Sequence, residues 1–251
     1  MKIAFVLFIT LAGFNLQAST IVALFNGELT SESIQRNVGD GAGFVSTTTG
    51  MFSFTRTGGT QVGIPNGTLF GYCIEPREFV SAGSTYTYDF TNLEMGATNI
   101  GGMGVAKADL IRELYGRFYP VIGAPIDAMH ASAMQIATWE IVRENSGTLN
   151  VSTGNVVYQN PQNAASLTLA QTYLAALDGT GPRANGLYAM TTVGAQDIVV
   201  QVTSEAPEPV EFATTGIVLI ALVTMWRRRQ AASEAPVMVR IAPPHRRCVK
   251  L

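Results

Sequence analysis

Cysteine and histidine are nearly absent from this chain. Two of each occur in 251 residues, and one of each pair, His245 and Cys248, lies close to the C-terminus. Only Cys73 and His130 remain for the body, too few to build a structural zinc site. Charge is also sparse, at 14% of residues. No internal repeat is visible, and no low-complexity linker exceeds a loop, so one folded domain is expected for the body. The glycine-rich run Gly39-Asp40-Gly41-Ala42-Gly43 lacks both the lysine and the strand–helix context of a phosphate loop, and reads as a hairpin turn. No cofactor and no metal are expected.

The two ends carry the apolar runs. Lys2 followed by the apolar stretch Ile3 to Leu16 and the small residues Ala18 and Ser19 has the pattern of a cleaved secretory signal, residues 1–18. Near the other end, Pro207-Glu208-Pro209 precedes the apolar run Phe212 to Trp226, which closes on Arg227-Arg228-Arg229. As a helix that run reaches about 22 Å, short of the roughly 30 Å hydrocarbon core, unless Trp226 and the arginines snorkel to the interface. Residues 19–211 hold 17 acidic and 8 basic side chains (net −9), whereas residues 227–251 hold 1 acidic and 7 basic (net +6). A basic tail beside an apolar run reads as membrane topology rather than nucleic-acid binding.

Pro-Glu-Pro, a short apolar helix and arginines, in that order, resemble the PEP-CTERM sorting signal of Gram-negative, exopolysaccharide-producing bacteria. That resemblance implies recognition and cleavage by an exosortase, a membrane cysteine protease, and anchoring through residues 212–226 before processing. The chain departs from the pattern by continuing for 22 residues beyond Arg229. The expected organisation is a signal peptide at 1–18, a domain at 19–204, a sorting segment at 205–229 and a basic tail at 230–251.

The body divides by pattern. Ile21 to Phe25, Phe44 to Arg56, Thr68 to Glu75 and Ser84 to Phe90 are rich in β-formers, and Tyr86, Tyr88 and Phe90 alternate at period two. Ile111, Leu114, Tyr115 and Phe118 then follow helical spacing, as do Met134, Ala137, Thr138 and Ile141 in a segment that Asp127 can cap. A third helical stripe runs from Leu167 to Leu177, with Gly179 as its stop. Strand character returns over 187–203. This predicts an α+β fold: a β-sandwich or barrel-like layer with a helical insertion, plus one C-terminal hydrophobic helix.

An exported cysteine ordinarily pairs with another. Cys73 has no second cysteine on its own side of the expected membrane segment, so it calls for reactivity, an intermolecular bond or an unusual cross-link. It ends a predicted strand in Tyr72-Cys73-Ile74-Glu75. A second segment, Gln135-Ile136-Ala137-Thr138-Trp139-Glu140, lies mid-helix and puts Gln135 on a face with Ala131, Thr138, Trp139 and Val142. Together the two segments resemble the thioester domains of bacterial surface adhesins. The match runs residue by residue over Tyr72-Cys73-Ile74 and Gln135-Ile136-Ala137-Thr138-Trp139, and the likeness spans about residues 20–203. It implies an internal Cys73–Gln135 thioester shielded by Tyr72 and Trp139. Such a bond transfers its acyl group once to an amine or hydroxyl of a surface, matrix or polysaccharide-associated partner, which is covalent binding rather than enzymatic turnover.

Two other readings stay open on sequence. A Cys73–His130 pair has the composition of a thiol hydrolase, although His130 lies on a different helical face from Gln135. A purely structural extracellular matrix protein is the other. Taken singly, Cys73 reads as a buried inert thiol, Gln135 as a solvent-facing glutamine and Trp139 as core. Glu75, Glu78 and Glu140 read as solvated or paired carboxylates with no assigned role.

Overall fold

A computed structural model describes residues 19–119 and 126–202. The expected signal peptide, Pro207-Glu208-Pro209, the apolar run, Arg227-Arg228-Arg229 and the basic tail lie outside the described residues. Among the described residues no helix is long and apolar enough to cross a membrane.

The first half of the body is β-structure: β1 (Thr20–Asn37), β2 (Val45–Gly58), β3 (Gly67–Cys73) and β4 (Thr85–Asn92). Three helices follow, α1 (Gly104–Phe118), α2 (Ala128–Arg143) and α3 (Ala164–Ala175), with the short strand β5 (Val157–Gln159) between the last two. β6 (Leu187–Thr191) and β7 (Ile198–Gln201) complete the sheet. Strand order is β2-β3-β7-β6-β4-β1, and the additional β1–β2 pairing closes it into a six-stranded antiparallel barrel, with β5 added on β1. The α+β barrel expected from sequence is what forms.

β1 holds the barrel together because it is long enough to serve three partners. Its start pairs with β4, its end with β5, and β2 runs antiparallel along most of its length. Register shifts near Val22, Phe25 and Glu28 bend it, as bulges do at barrel closures. Gly27, at φ 117°, supplies one of these bends with a backbone that other residues resist. Ile21, Ala23 and Phe25 alternate inward, and Phe25, Phe52, Phe54 and Tyr88 form a connected ring cluster with centroid spacings of 5.0–6.4 Å.

Asp127 caps α2 as its position predicts, its side chain accepting from the His130 backbone N–H. Every residue from Ala131 to Val142 is buried, because α2 packs against α1, α3 and strands β1, β2 and β3. A helix enclosed on all sides needs no polar face. α3 ends at Ala175, short of Gly179, whose amide instead donates to the Glu113 carboxylate on α1.

Candidate functional site

Cys73 is the last residue of β3 and is fully buried and free. Phe52 opposes Gly71 across the β2–β3 ladder, and directly opposed residues share a face. Gly71 and Cys73 therefore point to the same interior as the phenylalanine cluster. Tyr72 points outward, where it meets Tyr115 and Tyr119 edge-on at 6.1 and 6.3 Å. The sequence expectation groups Tyr72 with Trp139 as a shield, but the strand pleat puts the Tyr72 ring on the face away from the sulfur.

Gln135 reaches Cys73 for a reason that lies in the sheet. β2 pairs with β3 no further than Gly71. On the other edge, the Ile74 N–H donates to the Asp197 carbonyl at 2.9 Å. Backbone groups alternate in direction along a strand, so those of Cys73 face away from β7, toward the gap where β2 has stopped. The Gln135 carboxamide fills that gap. The Cys73 N–H donates to Gln135 Oε1 at 2.9 Å, and Gln135 Nε2 donates to the Cys73 carbonyl at 2.7 Å. Gln135 is 1% exposed, and this pair of hydrogen bonds satisfies a side chain that would be costly to bury unpaired.

Trp139 lies one helical turn after Gln135, on the same face, and is 2% exposed. A cleft of about 440 Å³ opens against its indole, lined also by Phe25, Phe52, Phe79, Val80 and Gln196. The indole N–H finds no acceptor in strict hydrogen-bond geometry among the described residues, yet it favours the Cys73 thiolate electrostatically. The Arg36 guanidinium stacks over the Trp139 ring at 5.1 Å.

Burial dominates the electrostatics. It pushes the Cys73 thiol up to about 12, against the Trp139 N–H, the Glu75 amide and the Arg36 charge, all of which favour the thiolate. The Glu75 N–H donates to Cys73 Sγ at 3.3 Å. The Glu75 carboxyl is raised to about 7, first by burial and further by Asp197. It accepts from the Asn99 and Asp197 amides and the Thr98 hydroxyl, while Asp197 accepts from the Thr98 and Thr192 amides. This carboxylate pair ties the ends of β3, β6 and β7 to the turn at 97–102. Glu140 is buried and raised to about 8 by desolvation. Its Oε1 accepts from the Asn150 amide, and its Oε2 has no partner among the described residues.

His130 sits at the exposed start of α2, its Nδ1 2.7 Å from Asp127, and no hydrogen bond joins it to Cys73. Among the described residues no group of His, Cys, Asp or Glu is arranged to hold a metal ion. Sequence reasoning missed Arg36, since nothing local marks a strand arginine as the partner of a distant tryptophan. It also left Glu75 without a role, although Glu75 stands two residues from the cysteine. No protein family, curated protein or solved structure matches the chain.

Proposed function

We propose that the protein is an exported covalent binder that stores an internal thioester between Cys73 and Gln135. The observation that carries this reading is the pair of hydrogen bonds by which the buried Gln135 carboxamide docks on the backbone of the residue bearing the sulfur. Cys73 Sγ attacks Gln135 Cδ, an S–C bond forms, and the C–N bond to Nε2 breaks. Ammonia leaves carrying the thiol proton. The Cys73 N–H on Oε1 polarises the carbonyl and is placed to stabilise the oxyanion of the tetrahedral intermediate. Proximity supplies the rest: both groups are fixed before reaction, so no encounter entropy opposes the step.

Capture reverses the polarity of the bond. An amine or hydroxyl on the partner attacks Cδ, the C–S bond breaks, and the thiol returns with a proton. Trp139, between the solvent-facing cleft and the sulfur, keeps water from the acyl carbon and defines the approach. The event happens once per molecule, so the protein is a binder and not an enzyme. In the same reading the chain is exported through its signal peptide and held by residues 212–226. It is then trimmed by an exosortase-type protease near Pro207-Glu208-Pro209, which leaves the domain on the cell surface or in the matrix.

Methylamine tests the proposal. The expected outcome is one methylamide on Gln135, located by peptide mass, with release of one titratable thiol. A structural matrix protein accounts for the same two hydrogen bonds as plain satisfaction of a buried glutamine. An unmodified Gln135 after methylamine treatment contradicts covalent capture and favours that structural reading.

A further inference from the structure

Away from the Trp139 cleft, a second cleft of about 610 Å³ lies between the end of β1, the turn after β3 and the α2 C-terminus. Its volume falls within the range of roughly 300–1,000 Å³ that holds small ligands. Arg77, Lys107 and Arg143 all line it, and no acidic side chain does. This is unexpected in a body whose formal charge is −9 over residues 19–211, the difference of 8 basic and 17 acidic residues. The polar remainder of the lining is Asn145 and Asn155, which can both donate.

These cations are only partly neutralised. Arg77 Nε lies 3.3 Å from Asp40. Lys107 Nζ donates to the Val142 carbonyl at 2.7 Å and to Asn145 Oδ1 at 2.9 Å, both uncharged, and the Glu144 carboxylate favours its charge from further off. Glu144, the nearest carboxylate along α2, accepts from the Asn145, Ser146 and Asn155 amides. Arg143 Nη1 is buried with no hydrogen-bond partner among the described residues. Arg36, 4% exposed, lies close enough to repel Arg143, and its Nε is likewise buried and unpartnered. Desolvation first, then the Arg77 and Arg36 charges, hold Arg143 below the ordinary arginine value, against the Asp40 and Glu75 carboxylates that favour its charge. A guanidinium donor buried beside other cations is costly unless an anion completes it.

We infer that the cleft formed by Arg77, Lys107, Arg143 and their two asparagines is an oxyanion-binding site for a carboxylate, sulfate or phosphate group. Arg143 and Arg77 supply forked N–H donors suited to such a group, and Lys107 adds a point charge. The site does not depend on the Cys73–Gln135 bond, and it marks acidic molecules, including acidic polysaccharides, as those the protein retains.

Calorimetric titration of the intact protein at low salt tests it, with sodium sulfate, inorganic phosphate, glucuronate, an oligomer of glucuronate and a neutral glucose oligomer as probes. Binding of the oxyanions and not of the neutral oligomer is expected, weakened about tenfold by Arg143→Gln and lost progressively with added chloride. Tighter binding of the glucuronate oligomer than of the monomer identifies a polymeric source, and equal binding identifies a free ion. Arg77→Gln, at a side chain 40% exposed, repeats the test where Arg143→Gln perturbs folding. Cys73→Ala binds the anions unchanged, so failure of the thioester reading leaves this result distinct. No binding, or binding indifferent to both arginine variants, overturns the inference.

Discussion

Two residues, 62 apart in sequence, meet because each solves a problem of the other. Cys73 has an N–H and a carbonyl that β2 does not reach, and Gln135 has a carboxamide that must be buried without water. In a Cys73→Ala background, where no thioester forms, Gln135→Ala orphans both backbone groups. The expected cost is about 1–3 kcal/mol for each group left unsatisfied, read as a lower midpoint in denaturant unfolding. Cys73→Ala alone keeps both hydrogen bonds and is the reference for that measurement. Trp139→Ala opens a cavity and is expected to cost about 3–5 kcal/mol. The same variant is expected to lose any thioester to water faster than wild type, seen as a rising fraction of free thiol with time in buffer.

Glu140 adds a pH dependence that belongs to a single side chain. Its folded-state pKa is about 8, against an ordinary 4.5. Between those values the folded chain binds a proton that the unfolded chain has released, so stability falls as pH rises through the window. Glu75, raised to about 7, acts in the same direction. Thermal unfolding followed from pH 5 to pH 8 checks this. Glu140→Gln is expected to flatten the decline, and an unchanged slope contradicts the assignment.

At the scale of elements, the site exists because β2 and β3 part company after Gly71. Gly71 is where β7 comes closest: a Cβ there would meet the Val199 carbonyl at 2.5 Å and Ile198 Cγ2 at 2.6 Å. Gly71→Ala is therefore expected to push β7 away and destabilise by about 1–3 kcal/mol. It is also expected to shift Cys73 off Gln135, giving less methylamine incorporation than wild type. Much of this layer was legible in the sequence. β2, β3, β4, the core-facing stripe of α1 and the Asp127 cap follow from period and capping chemistry; α2 is buried on every side rather than along a stripe, and the stripe expected to reach Leu177 ends with α3 at Ala175. β1 read as strand only over Ile21 to Phe25 yet continues to Asn37. The continuation hid because it buries Glu32 and Arg36 on its inward positions, which breaks the apolar alternation that marks a strand. Their contacts come from afar: Glu32 accepts from Ser166 and Asn163, and Arg36 stacks on Trp139. Gly179 misled as a helix stop because the Glu113 carboxylate uses its amide for a tertiary bond.

Across the whole molecule, a closed barrel presents Cys73 and the helical layer presents Gln135. Closure leaves Cys73 at one end of the barrel with no freedom to swing away, and α2, buried on every side, holds Gln135 with equal firmness. The resemblance already paired Cys73 with Gln135; what needed the folded chain was the reason they meet, the end of the β2 pairing at Gly71 that leaves the Cys73 backbone open. Two clefts flank this arrangement. One opens on Trp139 and the other is lined by Arg77, Lys107 and Arg143; the proposed capture and the proposed anion binding therefore fall on different surfaces of one domain.

Intact mass tests the central claim most directly. Wild-type protein is expected to weigh one ammonia less than its sequence requires, and Cys73→Ala to weigh what its sequence requires. Equal agreement of both with their sequences would mean that the Gln135 carboxamide stays docked on the Cys73 backbone unreacted, contrary to the thioester proposed for this site.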